Sequence, residues 1–284
     1  LDRETKLDTI AKSTVVNLSW ECIEPNTSGD WVNQRDATYE ALIPLTGRHG
    51  LFKTWPNGLQ TARDAWTFNA STGALTSHVE RMIDYFNAQV DAFQQAVADG
   101  DAVGSRGGAA AFVDRNETRY SWTRGDFKQV SEARKKKFST AAIRPSLYRP
   151  FFKQHLAFGS DYNEYPSSIP ALFPRPDASN LGISVVTSGS KAPFGVTATD
   201  AIPCMHLIGS DITTFLARWQ YEKPDQVDSL FGAETDWKRV SNLKPEAVHR
   251  FQVALGSDID DDAVFHCVYG ALHSPEFRER YESN

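Results

Sequence analysis

LTSHVERMIDYFNAQVDAFQQAVA, residues 75–98, carries the clearest periodicity in the chain. Val79, Met82, Ile83, Phe86, Val90, Phe93 and Val97 recur at three- and four-residue spacing and predict one apolar stripe on a long amphipathic helix. Gly100 supplies the stop. Such a stripe reads as packing surface, so this helix is expected to seed a core. The flanking sequence reads differently. Residues 1–14 are polar and predict a helix, and Val15-Val16-Asn17-Leu18-Ser19-Trp20 predicts a strand ahead of the turn residues at 25–30. Short strands are expected around 39–44, 50–55 and 65–69, a loop over 100–110 and a short basic helix over 126–138. Ile143–Phe158, interrupted by Pro145 and Pro150, predicts strands with a bend. Leu181–Val186 and Phe194–Ala198 predict a strand pair joined by a loop at 187–191. Residues 222–244 read as an exposed connector. Pro245–Leu255 and Asp261–Leu272 read as helices, and Ser274-Pro275-Glu276 as the start of another. The fold class is therefore α+β, with a mixed-sheet portion over 1–221 and a connector plus helical C-terminal portion over 222–284.

Composition narrows the function classes. Of the 284 residues, 40% are hydrophobic and 23% charged, as in an ordinary globular chain. No apolar run reaches membrane-spanning length, and no secretory leader is legible at the start. The chain begins at Leu1, which leads us to expect a piece of a longer polypeptide. Cys22, Cys204 and Cys267 are distant and odd in number, which predicts free thiols and a reducing, cytoplasmic setting. The seven histidines are scattered and no Cys-x-x-Cys pair occurs, so no metal site is expected.

The formal net charge of −6 conceals an uneven distribution. Residues 101–158 hold 12 basic and 5 acidic side chains, whereas 222–284 hold 7 basic and 13 acidic. A polyanion responds to the local field within about 10 Å. A basic middle beside an acidic end suits presentation of one face to phosphate, and a solvated charged face is the equal alternative. Arg63, Arg124, Lys135, Lys136, Lys137, Arg144, Lys153 and Lys191 are the candidate DNA contacts. The lysine run is expected to track phosphates. The planar fork of an arginine can hold guanine O6 and N7 together. Arg35 and Asp30 are expected to hold the fold instead.

Catalytic patterns are scarce. There is no Walker loop, no Asn/Asp-Pro-Pro-aromatic methyltransferase motif and no Gly-x-Ser-x-Gly elbow. Asp225, Asp236 and Lys238 superficially match the two acids and lysine of a Mg²⁺ nuclease, a short and degenerate pattern within the acidic connector.

Several ordered stretches carry a resemblance. They are Ile23-Glu24-Pro25-Asn26, Gly29-Asp30-Trp31-Val32-Asn33-Gln34-Arg35 and Asn57-Gly58-Leu59-Gln60-Thr61-Ala62-Arg63-Asp64-Ala65-Trp66. Further on come Ile143-Arg144-Pro145, Tyr148-Arg149-Pro150-Phe151 and Leu172-Phe173-Pro174-Arg175-Pro176. The last are Asp200-Ala201-Ile202-Pro203 with His206-Leu207, then Phe265-His266-Cys267-Val268-Tyr269-Gly270 with Leu272-His273-Ser274-Pro275. Together they resemble the C-terminal specificity region of single-polypeptide Type I (Type ISP) restriction–modification enzymes, with a modest departure at Phe152-Lys153-Gln154. The resemblance implies a non-catalytic target-recognition region acting on double-stranded DNA. It also implies an N6-adenine methyltransferase, a translocase and a nuclease upstream in the same polypeptide. S-adenosylmethionine, ATP and Mg would then belong to those upstream parts and no cofactor to this one. The alternatives are a docking module of the same enzyme with little DNA contact, or the Mg²⁺ nuclease above.

Overall fold

A computed structural model describes residues 2–27, 29–32, 34–35, 37–186, 190–191, 193–223 and 237–281. In chain order the elements begin with α1 (Arg3–Ala11), α2 (Ala37–Ala41), α3 (Asp64–Thr67), β1 (Phe68–Asn69) and α4 (Thr72–Ala98). The middle of the chain forms α5 (Arg106–Phe112), α6 (Arg124–Ser131), β2 (Ile143–Arg149), β3 (Phe152–Ala157) and α7 (Ile169–Leu172). It continues through β4 (Gly182–Val186), β5 (Val196–Thr199), β6 (Ile202–Pro203), β7 (Thr213–Ala217), β8 (Trp219–Glu222) and β9 (Lys238–Ser241). Three helices follow: α8 (Pro245–Leu255), α9 (Asp261–His273) and α10 (Pro275–Tyr281). The fold is α+β with mixed sheets, and helices close the chain.

Two compact units partition it: Leu1–Leu42 with Arg280–Asn284, and Ile43–Glu279. The smaller unit contains α1, capped by the Asp2 side chain, and no residue of α1 is buried. The strand expected at 15–20 is absent: Val16 is 95% exposed and Trp20 70%, because β-branched residues without a neighbouring ladder gain nothing from extension. Residues 39–44 likewise lack the expected strand, and α2 covers their start. Asp30 and Arg35 form a two-pronged pair, both contacts at 2.7 Å, which holds the Asp30 carboxyl well below its ordinary range.

The larger unit has three apolar clusters. In the first, Leu75, Val79, Met82, Ile83, Phe86, Val90 and Phe93 of α4 pack against Tyr120, Val130 and Tyr162. In the second, Leu51 and Phe52 meet Ile183, Leu216, Leu243 and the inner faces of α8 and α9. This cluster draws residues from both sides of position 221. The part of 222–244 that is described also contains β9, which pairs antiparallel with β8 and is more than a connector. The third cluster joins Leu59, Phe68, Leu156, Ile169, Ile202 and Phe215. Each such side chain contributes roughly 1.5–3 kcal/mol on burial.

Two sheets frame these clusters. One has the order β1-β3-β2-β6, with β2 and β6 parallel; the other is antiparallel, in the order β5-β4-β7. Asn242 is fully buried and stitches the unit together, donating to the carbonyls of Thr54 at 2.9 Å and Ala217 at 2.8 Å.

Beside the first cluster lies a buried set of charges. Thr123 caps α6, and the Asp126 side chain closes the reciprocal hydrogen bond, the local pattern of a capping box. The same carboxylate points inward to Arg63 at 2.8 Å and Lys136 at 2.6 Å, all three residues being nearly solvent-free. The Tyr120 hydroxyl accepts from Arg63 and Lys136 and donates to Asp126 at 2.9 Å. Glu164, hydrogen-bonded to the Thr123 hydroxyl, supplies a second negative charge 3.9 Å from Arg63. Burial alone would push the Asp126 carboxyl up, but Lys136 and Arg63 outweigh it and hold it below its ordinary value. Burial pushes the Tyr120 hydroxyl well up and the Lys136 ammonium down.

This packing is open to mutation at two points. A methyl group added at Gly182 would clash with the Phe215 ring, so Gly182→Ala should lose about 1–3 kcal/mol in urea unfolding, and Phe215→Leu should recover part of it. Asp126→Asn should cost ~3–5 kcal/mol, because two buried cations lose their counter-charge. The folded pKa of Asp126 is depressed, so its stabilisation is complete above the ordinary value of 3.8 and drains away as pH falls through the lower folded value. Acid unfolding curves of wild type and Asp126→Asn should therefore converge at low pH; parallel curves would refute the assignment.

Candidate nucleic-acid interface

The eight candidate cations separate by environment. Arg63 precedes α3 and Lys136 follows α6, and both are consumed by the buried cluster: their side chains are 1% and 3% exposed. Arg144 on β2 is also buried, with Nη2 donating to the Phe173 carbonyl at 3.0 Å. Its Nη1 is buried without a hydrogen-bond partner among the described residues, beside a cleft of about 30 Å³ lined by Pro145, Arg175 and Asp200, room for about one water. Burial lowers the pKa of Arg144, and nearby Asp177 opposes that shift. The structure thus places these three candidate DNA contacts in the interior rather than on the surface. Their charged heads are directed into the fold and are nearly closed to solvent.

The other five reach the surface. Arg124, at the first turn of α6, is exposed, as are Lys137 and Lys191. Lys135 pairs with Asp91 of α4 at 2.8 Å, and Lys153 of β3 pairs with Asp200 at 2.7 Å, which lowers the Asp200 pKa. Both pairs are well exposed and therefore hold their cations weakly. The basic helix expected over 126–138 ends at Ser131. Ala133 takes a positive φ of 55°, and 134–139 continue without regular structure. Along this stretch Arg134, Lys135 and Lys137 face solvent while Lys136 turns inward. The run is a surface cation row with one structural member.

Sequence reasoning misses Tyr120, Asp126 and Glu164, which fix Arg63 and Lys136. The Thr123-x-x-Asp126 capping box is the one local signal for part of that arrangement. Arg218 escapes it too, held against Asp262 at 2.6 Å and over the Trp219 ring at 3.8 Å. Of the nuclease-like pattern, Asp225 and Asp236 lie outside the described residues, and Lys238 is exposed on β9. Among the described residues no group of three His, Cys, Asp or Glu could hold a metal ion, and no helix is long and apolar enough to cross a membrane. Cys22, Cys204 and Cys267 are all free.

Comparison with known proteins places this geometry. The chain is similar to a nuclease-deletion mutant of the Type ISP restriction-modification enzyme LlaGI, solved with a DNA substrate mimic, at 30% identity and a TM-score of 0.76 over 99% of this chain and 24% of that one. It shares its fold with DrdV in a DNA complex, at 22% identity and a TM-score of 0.75 over 98% of this chain and 26% of that one. A third similar structure is the ATP-dependent Type ISP enzyme LlaBIII bound to DNA, at 22% identity and a TM-score of 0.71 over 92% of this chain and 16% of that one. The chain thus spans about a quarter or less of the length of these enzymes. No curated protein sequence matches it. The profile of the Type ISP C-terminal specificity domain matches residues 50–284, and the chain belongs to that family.

Proposed function

We propose that this chain recognises a specific sequence in double-stranded DNA and thereby directs chemistry housed elsewhere in a longer restriction–modification polypeptide. The observation that carries this reading is the specificity-domain match across residues 50–284. The solvent-facing row of Arg134, Lys135 and Lys137 on the basic segment supports it. The chain works by binding energy and makes no bonds. Arg124, Lys135, Lys137, Lys153 and Lys191 neutralise phosphates or reach base edges, while Arg63, Lys136 and Arg144 keep the framework that presents them. The reacting parts are an upstream N6-adenine methyltransferase, translocase and nuclease. S-adenosylmethionine, ATP and Mg belong to them. Within the smaller unit, Leu7, Ile10, Val15, Val16, Trp20, Trp31 and Val32 are all more than half exposed, which favours docking of that unit against the preceding methyltransferase.

Fluorescence anisotropy with a randomised pool of short duplexes, followed by selection of the bound fraction, tests the reading. The chain should enrich one sequence. Glu substitutions at Arg134, Lys135 and Lys137 together should weaken binding to every duplex and flatten the log–log salt dependence by roughly three, about 0.9 for each phosphate left unneutralised. Arg124→Ala should instead relax the selected sequence at one position if that guanidinium reads a base, or lower the salt slope by about one if it holds a phosphate. Unchanged affinity in the triple variant would reduce the row to a solvated face, and failure to enrich any sequence would refute recognition.

A further inference from the structure

The β2–β3 hairpin ends in a feature that its own packing does not require. Arg149 pairs with Phe152, leaving Pro150 and Phe151 as a two-residue turn. The proline ring fixes its own backbone, and Phe151 takes a φ of +62°. A turn with proline second and a positive φ third is the place for glycine or asparagine. A phenylalanine there is strained. It is also 98% exposed, with Phe152 beside it at 47%, and neither ring belongs to an apolar cluster. The sequence thus accepts two penalties at one position, strain and a bare phenyl ring in water.

The tip is nonetheless held on a firm stem. Leu147 and Leu156 are buried, and the buried Ser146 hydroxyl donates to the Ile202 carbonyl at 2.6 Å. Arg149 lies over the Tyr148 ring at 4.1 Å and donates to the Tyr148 carbonyl at 2.7 Å, so its position at the base of the tip is set. From 143 to 158 the sequence holds Arg144, Arg149, Lys153 and His155 and no acidic residue. A hairpin ending in a flat apolar ring, with Arg149 set at the base of its tip and Lys153 on its side held by an exposed pair to Asp200, suits a partner with stacked planar faces between anionic rails.

We propose that Phe151 is a wedge that enters the base stack of the bound duplex and opens one base step, making the tip of this hairpin a specificity-determining element. The inference rests on the DNA-recognition reading above. An inserted ring selects sequence through the ease of unstacking, so the step it enters should be a flexible pyrimidine–purine step.

The test uses the duplex that the chain selects from the randomised pool, with 2-aminopurine substituted in turn along it. Wild-type chain should raise 2-aminopurine fluorescence several-fold at one step and leave the other positions dim. Phe151→Gly should abolish that rise and weaken binding by at least about fivefold, as expected on removing one stacked aromatic. Glycine is at ease at positive φ, so the variant should melt no lower than wild type, and weakened binding could not be put down to misfolding. Phe151→Leu, an apolar wedge, should keep most of the rise. The proposal is overturned alone if wild type binds the selected duplex with no brightening at any position, or if Phe151→Gly keeps both brightening and affinity. Failure of wild type to bind any duplex overturns it together with the recognition reading.

Discussion

The larger unit is organised around one carboxylate. Asp126 sits in a nearly waterless pocket and balances Arg63 on one oxygen and Lys136 on the other, with the Tyr120 hydroxyl bridging them. Neither cation could stay there unpaired, since an ion taken from water loses several kcal/mol of hydration even after relaxation. A buried ion pair of this kind is weak evidence for net stability, because well-packed apolar residues could fill the same space. What it gives is a demand on geometry. The loop before α3, the first turn of α6 and the irregular stretch after it must all arrive together, or a charge is stranded. That demand sets where the exposed neighbours Arg124, Lys135 and Lys137 emerge, since each lies within two residues of a member of the cluster.

Basic residues therefore serve two purposes in one short segment. Lys136 holds the interior together while its neighbours on either side face solvent. Lys135, Lys136 and Lys137 are exposed, buried and exposed in turn, so the run is divided between surface and core by its conformation. Net charge counted along the sequence overstates what a DNA phosphate can meet, and the surface row is smaller than the run that encodes it.

How much of this is legible in the sequence depends on the range of the interactions. The α4 stripe, the β4–β5 pair, the β2–β3 region and the C-terminal helices declare themselves through periodicity, prolines and caps, which are local. The segment at 15–20 has strand-like composition but no ladder to join, and composition cannot reveal a missing partner. The burial of Arg63 is hidden for a related reason. Its neighbour in sequence is Asp64, whose carboxylate instead accepts from the Thr61 hydroxyl, while its true counter-ion is 63 positions away. The burial of Arg144 is hidden as well, because its guanidinium is held by the segment around Phe173, which no spacing rule connects to it. Family resemblance is carried by ordered stretches along the whole chain. It locates the kind of molecule better than it locates individual contacts.

The second apolar cluster has a bearing on how the protein is made. Residues 51–54 exchange hydrogen bonds with residues 241–244, so stretches of chain nearly two hundred positions apart close on each other. On the ribosome, Leu51 and Phe52 emerge early and wait for Leu243, Val248, Val264 and Phe265 before their side chains are covered. An architecture that joins residues 51–54 to 241–244 makes the cover of its early apolar residues depend on the helices that come last among its clusters.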